Sequence, residues 1–157
     1  MVEAARAMNP FDISTPAALN DPEWRRLEIP AGNGIGQVRD LVKLYGDLST
    51  GGRRIGLDGE TVGALTAPPG GPRDGILKTE TVYALGYWKP FDGCRFGSPA
   101  AFGAPGAGGS FAFADPELEL GFACAPNRMG THLWDDPREV ALRDAVIECT
   151  EVRADNE

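Results

Sequence analysis

The first regular pattern along the chain is an apolar stripe with the spacing of an α-helix. Its members recur three or four positions apart: Val38, Leu41, Val42, Tyr45 and Leu48. Residues with this spacing lie on one face of a helix, which they would bury against the rest of the fold. Gly51 and Gly52 predict the end of the helix, because glycine adopts the left-handed backbone of a helix terminus at little cost. A shorter helix is predicted over Gly59–Leu65, with Asp58 as its N-cap.

Short stretches of β type follow, and they predict four strands. The predicted strands are Tyr83–Trp88, Ala101–Phe102, Ser110–Ala114 and Leu118–Ala125. Residues 115–117, with the sequence Asp-Pro-Glu, form the predicted turn between the last two. Phe111 and Phe113 fall on one face of their strand, and Ala112 and Ala114 fall on the other. A face of small side chains predicts close packing against another element, such as a helix.

The last helix has the clearest start. Asp136 is its predicted N-cap, Pro137 its first residue, and Glu139 stands where a capping box has its second member. An apolar stripe with helical spacing follows: Leu142, Ala145, Val146, Cys149 and Val152. The order of helices, strands and a final helix predicts an α+β fold, in which helices cover an antiparallel sheet.

Length and composition fit one globular domain. The chain has 157 residues, and 42% of them are hydrophobic, which is enough for a core. The 21 glycines and 13 prolines predict many irregular connections, one of them the loop Pro68–Arg73. Residues 1–30 contain four prolines and no sustained period. We therefore predict an extended lead-in over 1–30 and a single domain over 31–157.

Charge and cysteine content exclude several classes of function. The formal net charge is −8, and such a chain repels phosphate backbones and anionic lipids, so we expect neither nucleic acid nor a membrane as a partner. Cys94, Cys124 and Cys149 form no C-x-x-C pair, which argues against a disulfide framework and a zinc site. The first ten residues show no signal peptide, and no apolar run approaches the ~20 residues of a membrane span. We expect a cytoplasmic protein without metal or cofactor.

Three segments, in this order and spacing, resemble a known family. They are Glu28–Tyr45, Gly59–Pro68 and Phe102–Met129. Together they are similar to the C-terminal section of family VIII carboxylesterases and of class C β-lactamase relatives, and the third segment is the most specific. The resemblance implies the C-terminal portion of a β-lactamase/transpeptidase-like fold, so residues 31–157 would form part of such a domain.

The resemblance also implies a mechanism. Members of this family form an acyl-enzyme through a serine that a lysine activates in an S-x-x-K motif, and a tyrosine helps to move the proton. A strand with a Lys-Thr-Gly or His-x-Gly motif lines the pocket, and a backbone N–H after it forms half of the oxyanion hole. This strand corresponds to Ala104, Pro105, Gly106, Ala107, Gly108 and Gly109. Ala104 stands where the family has lysine, histidine or sometimes tryptophan, Gly106 matches, and Ala107 would supply the N–H. Ile35 stands where the family often has a histidine.

The catalytic motifs themselves are absent from the sequence. None of the four serines, Ser14, Ser49, Ser98 and Ser110, is followed by lysine three positions later, and no tyrosine lies in Y-x-N or Y-x-S. We therefore predict no catalytic residue here and no activity of the isolated chain. The chain is interpreted as a C-terminal fragment or subunit of a serine hydrolase. An N-terminal part would complete it for small ester or amide substrates, and the chain would self-associate or bind a complementary chain. The alternative is a non-catalytic binding or scaffold module derived from the same fold.

Four further patterns have a simpler interpretation than a functional one. Residues 78–80 (Lys-Thr-Glu) resemble a degraded Lys-Thr-Gly box, but glutamate replaces the glycine. Residues 103–110 resemble a phosphate-binding loop, yet glycine replaces its lysine and a strand follows instead of a helix. Residues 32–36 are glycine-rich, but they follow a loop rather than a strand. His132 could join Ser110 in a triad, although no nucleophile elbow surrounds the serine.

Overall fold

A computed structural model describes residues 20–28, 34–67, 74–75, 78, 80 and 82–154. The chain divides into two compact units, Met1–Gly36 with Gly75–Lys78, and Gln37–Asp74 with Thr79–Glu157. In the first unit the described residues form one short helix, α1 (Pro22–Arg25), and its N-cap Asp21 accepts the Glu23 N–H at 2.7 Å. Most of the predicted lead-in and the predicted loop Pro68–Arg73 lie outside the described residues.

Both helices predicted near the start of the second unit are present. Helix α2 (Val38–Ser49) ends before Gly51 and Gly52, which have φ angles of 102° and 65°. Helix α3 (Gly59–Thr66) begins after Asp58, whose side chain accepts the Thr61 N–H at 2.7 Å. A 3-10 turn, Arg53–Ile55, connects them.

An antiparallel sheet forms the centre of this unit. Its strands are β1 (Tyr83–Ala84), β2 (Tyr87–Trp88), β3 (Phe102–Gly106), β4 (Ser110–Asp115) and β5 (Leu120–Cys124). They pair in chain order, each with the next, and all pairs are antiparallel. The predicted α+β class, an antiparallel sheet with helices, is confirmed.

The single strand predicted over Tyr83–Trp88 is wrong. The segment folds into a hairpin in which Ala84 pairs with Tyr87. Leu85 and Gly86 turn the chain with φ angles of 51° and 87°, the two positive values of a type I′ turn. Leucine is rare at such a position, so the six residues show no turn signal.

Two other strands differ from their predicted limits. The predicted Ala101–Phe102 extends as far as Gly106, because all five residues of β3 pair with β4. The strand predicted from Leu118 begins at Leu120, because the turn has four residues and Glu119 has a φ of 49°. The Asp115 carboxylate holds this turn by accepting the N–H groups of Glu117 and Leu118 at 3.0 and 3.3 Å.

One face of the sheet carries the small side chains, as predicted, and helices cover it. A buried cluster joins the helices to this face: Tyr45, Leu48, Leu65, Phe102, Ala112 and Ala114. Helix α2 approaches β5 so closely that a Cβ built on Gly121 would lie 2.5 Å from the Gly46 Cα. Leu41 and Val42, which belong to the predicted stripe, remain exposed.

Phenylalanine side chains fill the opposite face. The buried cluster there contains Trp88, Cys94, Phe96, Ala101, Phe111, Phe113 and Phe122. The loop that supplies Cys94 and Phe96 is tied to β4, because Ser98 donates to the Asp115 carboxylate from its N–H and its hydroxyl, at 2.6 and 2.8 Å.

The last helix, α4 (Pro137–Ala154), covers this second face, but of the predicted stripe only Val146 packs against the cluster. Val146 and Ile147 pack against the cluster, whereas Leu142 and Val152 are 55% and 62% exposed. The helix instead turns a buried ion pair inward, in which Arg143 Nη1 lies 3.2 Å from Glu139 Oε1.

The predicted capping box is also only half correct. The Asp136 carboxylate accepts the Arg138 N–H at 3.1 Å, as an N-cap does. Glu139 is directed to Arg143 and not back to the start of the helix, because the buried guanidinium needs a counter-charge.

Candidate functional site

The six predicted site residues, 104–109, lie together at the end of the β3–β4 hairpin. Strand β2 pairs with β3 at Gly103 alone, through Trp88. Beyond that point no described strand pairs with the outer edge of β3, so Ala104–Gly106 form a free strand edge. A free edge of extended backbone can bind an extended ligand through main-chain hydrogen bonds.

The side chains of this edge are small and carry no charge. Ala104 is exposed, and it pairs across the hairpin with Ala112. Gly106 pairs with Ser110, and a Cβ at Gly106 would overlap the Ser110 hydroxyl. A side chain at position 106 would therefore have to turn the Ser110 hydroxyl aside.

The loop that closes the hairpin exposes one backbone donor. Ala107 is exposed, and its N–H donates to no described residue. Gly108 and Gly109 follow with φ angles of 90° and 100°, a conformation that strains residues with a side chain. Both are buried, so the loop presents Ala107 outward and its two glycines inward.

The inward side of this loop is held by three hydrogen bonds. The Gly108 N–H donates to the His132 carbonyl at 2.9 Å. The Gly108 carbonyl accepts the Gly130 N–H at 2.8 Å and Arg138 Nη2 at 3.3 Å. The segment before α4 therefore fixes the position of the loop that carries Ala107.

Asp136 and Arg138 form the centre of this support. Arg138 donates to the Asp136 carboxylate from Nε and from Nη2, both at 2.8 Å, and its Nη1 donates to the Arg128 carbonyl at 3.0 Å. The bond from Arg138 lowers the pKa of Asp136 to about 2. A Cβ at Gly109 would lie 2.8 Å from the Asp136 Cγ, so the carboxylate also packs directly beneath the loop.

Sequence reasoning missed this support. The sequence predicts Asp136 only as a helix cap, and no pattern in it points to Arg138. The signal in the sequence is weak, because residues 27 and 30 positions apart meet only after the hairpin and α4 are both in place.

The other predicted candidates do not form a site. Residues 103–110 are a strand–loop–strand hairpin, and a phosphate-binding loop would lead into a helix. His132 Nδ1 lies 3.8 Å from Asp136 Oδ2, and no hydrogen bond among the described residues joins His132 to Ser110. Lys78 has a φ of 57° and lies before the sheet, while Thr79 and residues 32–33 lie outside the described residues.

No group of three or more histidine, cysteine, aspartate or glutamate side chains is arranged to hold a metal ion in the part of the chain that the structure describes. None of the helices described is long and apolar enough to cross a membrane.

Comparison with known proteins gives this hairpin a family context. A sequence profile of the family Beta-lactamase matches residues 2–146. The chain belongs to the beta-lactamase family. A curated relative is the Esterase/beta-lactamase LipL of Mycobacterium tuberculosis, which is 33% identical over 106 residues, or 65% of this chain and 24% of that protein. The resemblance to the serine β-lactamase and penicillin-binding-protein-like superfamily is thereby confirmed.

Solved structures in the family share the fold of this chain. A family VIII carboxylesterase superposes with a TM-score of 0.75 at 34% identity, over 83% of this chain and 36% of that one. A penicillin-binding protein homologue from Caulobacter crescentus gives 0.68 at 36% identity, over 80% and 35%. EstA from Arthrobacter nitroguajacolicus gives 0.66 at 26% identity, over 86% and 37%. The chain spans little more than a third of the solved relatives and a quarter of the curated one.

Proposed function

We propose that this chain supplies the substrate-binding strand of a serine hydrolase for small ester or amide substrates. It would also provide half of the oxyanion hole, while another polypeptide segment carries the nucleophile. The observation that carries the proposal is the exposed Ala107 N–H at the end of a free strand edge. A fixed donor of this kind stabilises the negative charge that develops on a carbonyl oxygen during acyl transfer.

The positions of the support residues favour this role. An oxyanion donor works only when its position is set before the reaction, so that no reorganisation is needed. Here the loop is fixed from below by Arg138 and by the backbone of residues 130 and 132. The relatives described above include an esterase/beta-lactamase and a carboxylesterase, and these descriptions agree with ester or amide chemistry.

The chain alone should not catalyse this reaction, since it lacks S-x-x-K and the tyrosine motif. The test is an assay of the purified chain with a p-nitrophenyl ester and a chromogenic cephalosporin. We expect no turnover above the buffer rate. Turnover that disappears in Ser110→Ala would show that this chain has a nucleophile of its own, and would contradict the proposal.

The oxyanion role can be tested after complementation. The chain would be co-produced with the part of the family VIII carboxylesterase that this chain does not span, and ester hydrolysis would be followed. Ala107→Pro removes the N–H and should lower kcat by about 10²–10³. Ala107→Gly keeps the N–H and serves as the matched control. If both variants lost kcat equally and had the same melting temperature, the role of the N–H would be contradicted.

A second candidate function rests on Ala104. The family motif has lysine, histidine or sometimes tryptophan at this position, whereas here the exposed side chain is a methyl group. A non-catalytic binding or scaffold module would need the strand edge but not the lost side chain. In that case a complemented enzyme would bind an ester analogue and show no turnover, even with Ala104→Lys.

We further propose that the protein is cytoplasmic, since its three cysteines are all unpaired and a reducing compartment keeps them so. Cell fractionation with an antibody to the chain tests this location.

A further inference from the structure

An open apolar groove lies between helix α4 and the turn from β4 to β5. It has a volume of about 970 Å³. Pro116, Leu118 and Leu120 line one wall, and Leu142, Val146 and Cys149 line the other. The outer edge of β5 begins beside the groove at Leu120, and no strand among the described residues pairs with that edge. We call this surface the α4 groove.

The helical wall of the α4 groove has the pattern of a helix-packing surface. Its members follow the spacing i, i+3, i+4, i+7 at Leu142, Ala145, Val146 and Cys149, which is the spacing by which amphipathic helices contact each other. Leu142 is 55% exposed, whereas Val146 and Ile147 of the same helix pack against the core cluster. The small side chains of Ala145 and Cys149 leave room for larger side chains from a facing helix.

The rim of the groove is acidic. Glu117 and Glu119 line it on the turn side, and both are exposed. The one basic residue within this part of α4, Arg143, is buried and paired with Glu139. It therefore does not neutralise the rim.

From these observations we infer that the α4 groove binds an amphipathic helix with basic flanks, contributed by another polypeptide segment. A second copy of this chain fits less well, because an identical acidic rim would face its own charges. A small polar ligand fits less well too, because polar groups do not converge in the groove. The Thr150 hydroxyl, which lines it, already donates to the Val146 carbonyl at 2.9 Å.

This inference deepens the proposed function. It rests on that function for the identity of the helix, which would belong to the segment that carries the nucleophile. The chain spans 36% of the family VIII carboxylesterase, so a complete fold of that size has further segments that must pack against this third. The α4 groove and the adjoining β5 edge are free surfaces of the kind that such a segment would cover. Binding is measured without any hydrolytic readout, so failure of the docking surface and failure of the catalytic proposal are distinguishable.

The experiment uses the full chain and a pair of labelled synthetic helices of about five turns each. Both peptides carry leucine at i, i+3, i+4 and i+7; one has lysine on its flanks, and the other has glutamate at the same positions. Fluorescence anisotropy measures their affinity. We expect the basic peptide to bind at least about tenfold more tightly than the acidic one, and its affinity to fall as salt is raised.

Two variants locate the binding. Leu142→Asp should weaken the binding of the basic peptide at least about tenfold. Leu41→Asp is the matched control, an exposed leucine on helix α2, 43% exposed, and it should have no effect. Loss of binding in Leu41→Asp with no loss in Leu142→Asp would place the peptide on α2 and overturn the inference.

A charge reversal tests the rim. In the double variant Glu117→Lys and Glu119→Lys, the binding preference should change to the acidic peptide. Unchanged preference would contradict a role for the rim. Sedimentation of the wild-type chain completes the test: a dimer that Leu142→Asp disrupts would show that a second copy occupies the groove, which would also overturn the inference.

Discussion

Lys89 brings a charged group into the interior of the molecule. Its side chain is only 1% exposed. Nζ donates to the Leu65 carbonyl at 2.7 Å and to the Ala100 carbonyl at 3.3 Å, and it lies 5.4 Å from the centroid of the Phe102 ring. Burial lowers the pKa of Lys89, while the charge of Asp115 opposes that shift. The ammonium group thus joins the end of α3, the loop before β3 and the sheet.

Replacing this lysine should destabilise the fold. Lys89→Met keeps the length of the side chain but leaves two buried carbonyls without their donor, and we expect a loss of about 1–3 kcal/mol in the free energy of unfolding. Lys43→Met is the control, since Lys43 forms only an exposed pair with Asp40, and such pairs contribute little. Urea unfolding measures both. The same midpoint for the two variants would show that the buried ammonium contributes nothing.

Glu139 should make stability depend on pH. Burial raises its pKa to about 7, although Arg143 acts to lower it, and Asp135, Asp136 and Asp144 act to raise it. The folded protein therefore holds a proton that the unfolded chain releases near the ordinary pKa of glutamate. The contribution of this group to stability is greatest below about pH 4.5. It is lost as the pH rises toward 7.

The measurement is the urea midpoint from about pH 5 to pH 8, a range that covers this titration. The wild type should lose stability across that interval, and Glu139→Gln should remove most of the loss. Asp144→Asn is the control, because Asp144 is an exposed carboxylate at 3.7 Å from the same Arg143. A wild-type midpoint that does not change with pH would contradict the shifted titration.

At the scale of elements, helix α2 packs against strand β5 backbone to backbone. The backbone of Gly46 lies against Gly121 with no side chain between them. The two glycines are not equivalent, because a Cβ at Gly46 would meet nothing within 4 Å outside its own helix. The sheet residue therefore sets the distance between the helix and the sheet.

This asymmetry gives a pair of matched variants. Gly121→Ala should force the helix away from the sheet and destabilise the protein by about 1–3 kcal/mol, as overpacking does. Gly46→Ala should be neutral, or should stabilise α2 by about 0.5–1 kcal/mol. Thermal melting of both variants measures the difference. Tolerance of alanine at position 121 would mean that the helix does not lie this close.

How much of these elements the sequence predicts depends on where the signal lies. The α2 helix, the Asp58 cap and the alternating faces of β4 are local patterns, and the structure confirms them. Of the α2 stripe, Tyr45 and Leu48 are buried, while Leu41 and Val42 are exposed. The Leu85–Gly86 turn is not predictable from local propensity, since leucine is rare at a positive φ. The stripe on α4 was assigned to the core on spacing alone, but the core receives Val146 and Ile147 and leaves Leu142 outside.

The candidate site also combines features that the sequence predicts with features that it does not. The resemblance placed residues 104–109 on one strand and loop, and the structure brings them to one end of a hairpin. Their support by Arg138 depends on contacts between distant parts of the chain. Spacing in the sequence contains no information on such contacts.

At the scale of the whole molecule, the three thiols lie at different depths in the fold. Cys149 is exposed, Cys124 is partly buried, and Cys94 has no exposed surface. Burial, and then the charge of Asp135, raise the pKa of Cys94 to about 12. Burial also raises the pKa of Cys124.

Thiol labelling should therefore occur in an order. With Ellman's reagent near neutral pH, we expect Cys149 to react first, Cys124 more slowly, and Cys94 only when the protein unfolds, because the thiolate is the reacting form. Cys149→Ser should remove the fast phase and leave the others. Rapid reaction of all three thiols in native buffer would show that the Phe-rich core opens without global unfolding.

The order of the strands has a consequence for how the molecule forms. Each strand pairs with the one that precedes or follows it in the chain, so no pairing in the sheet waits for a distant segment. Closing a short loop costs little conformational entropy, and topologies rich in local contacts fold quickly. During synthesis the meander can therefore assemble hairpin by hairpin as it leaves the ribosome, and α4, which emerges after the strands, completes both the core and the support beneath Ala107.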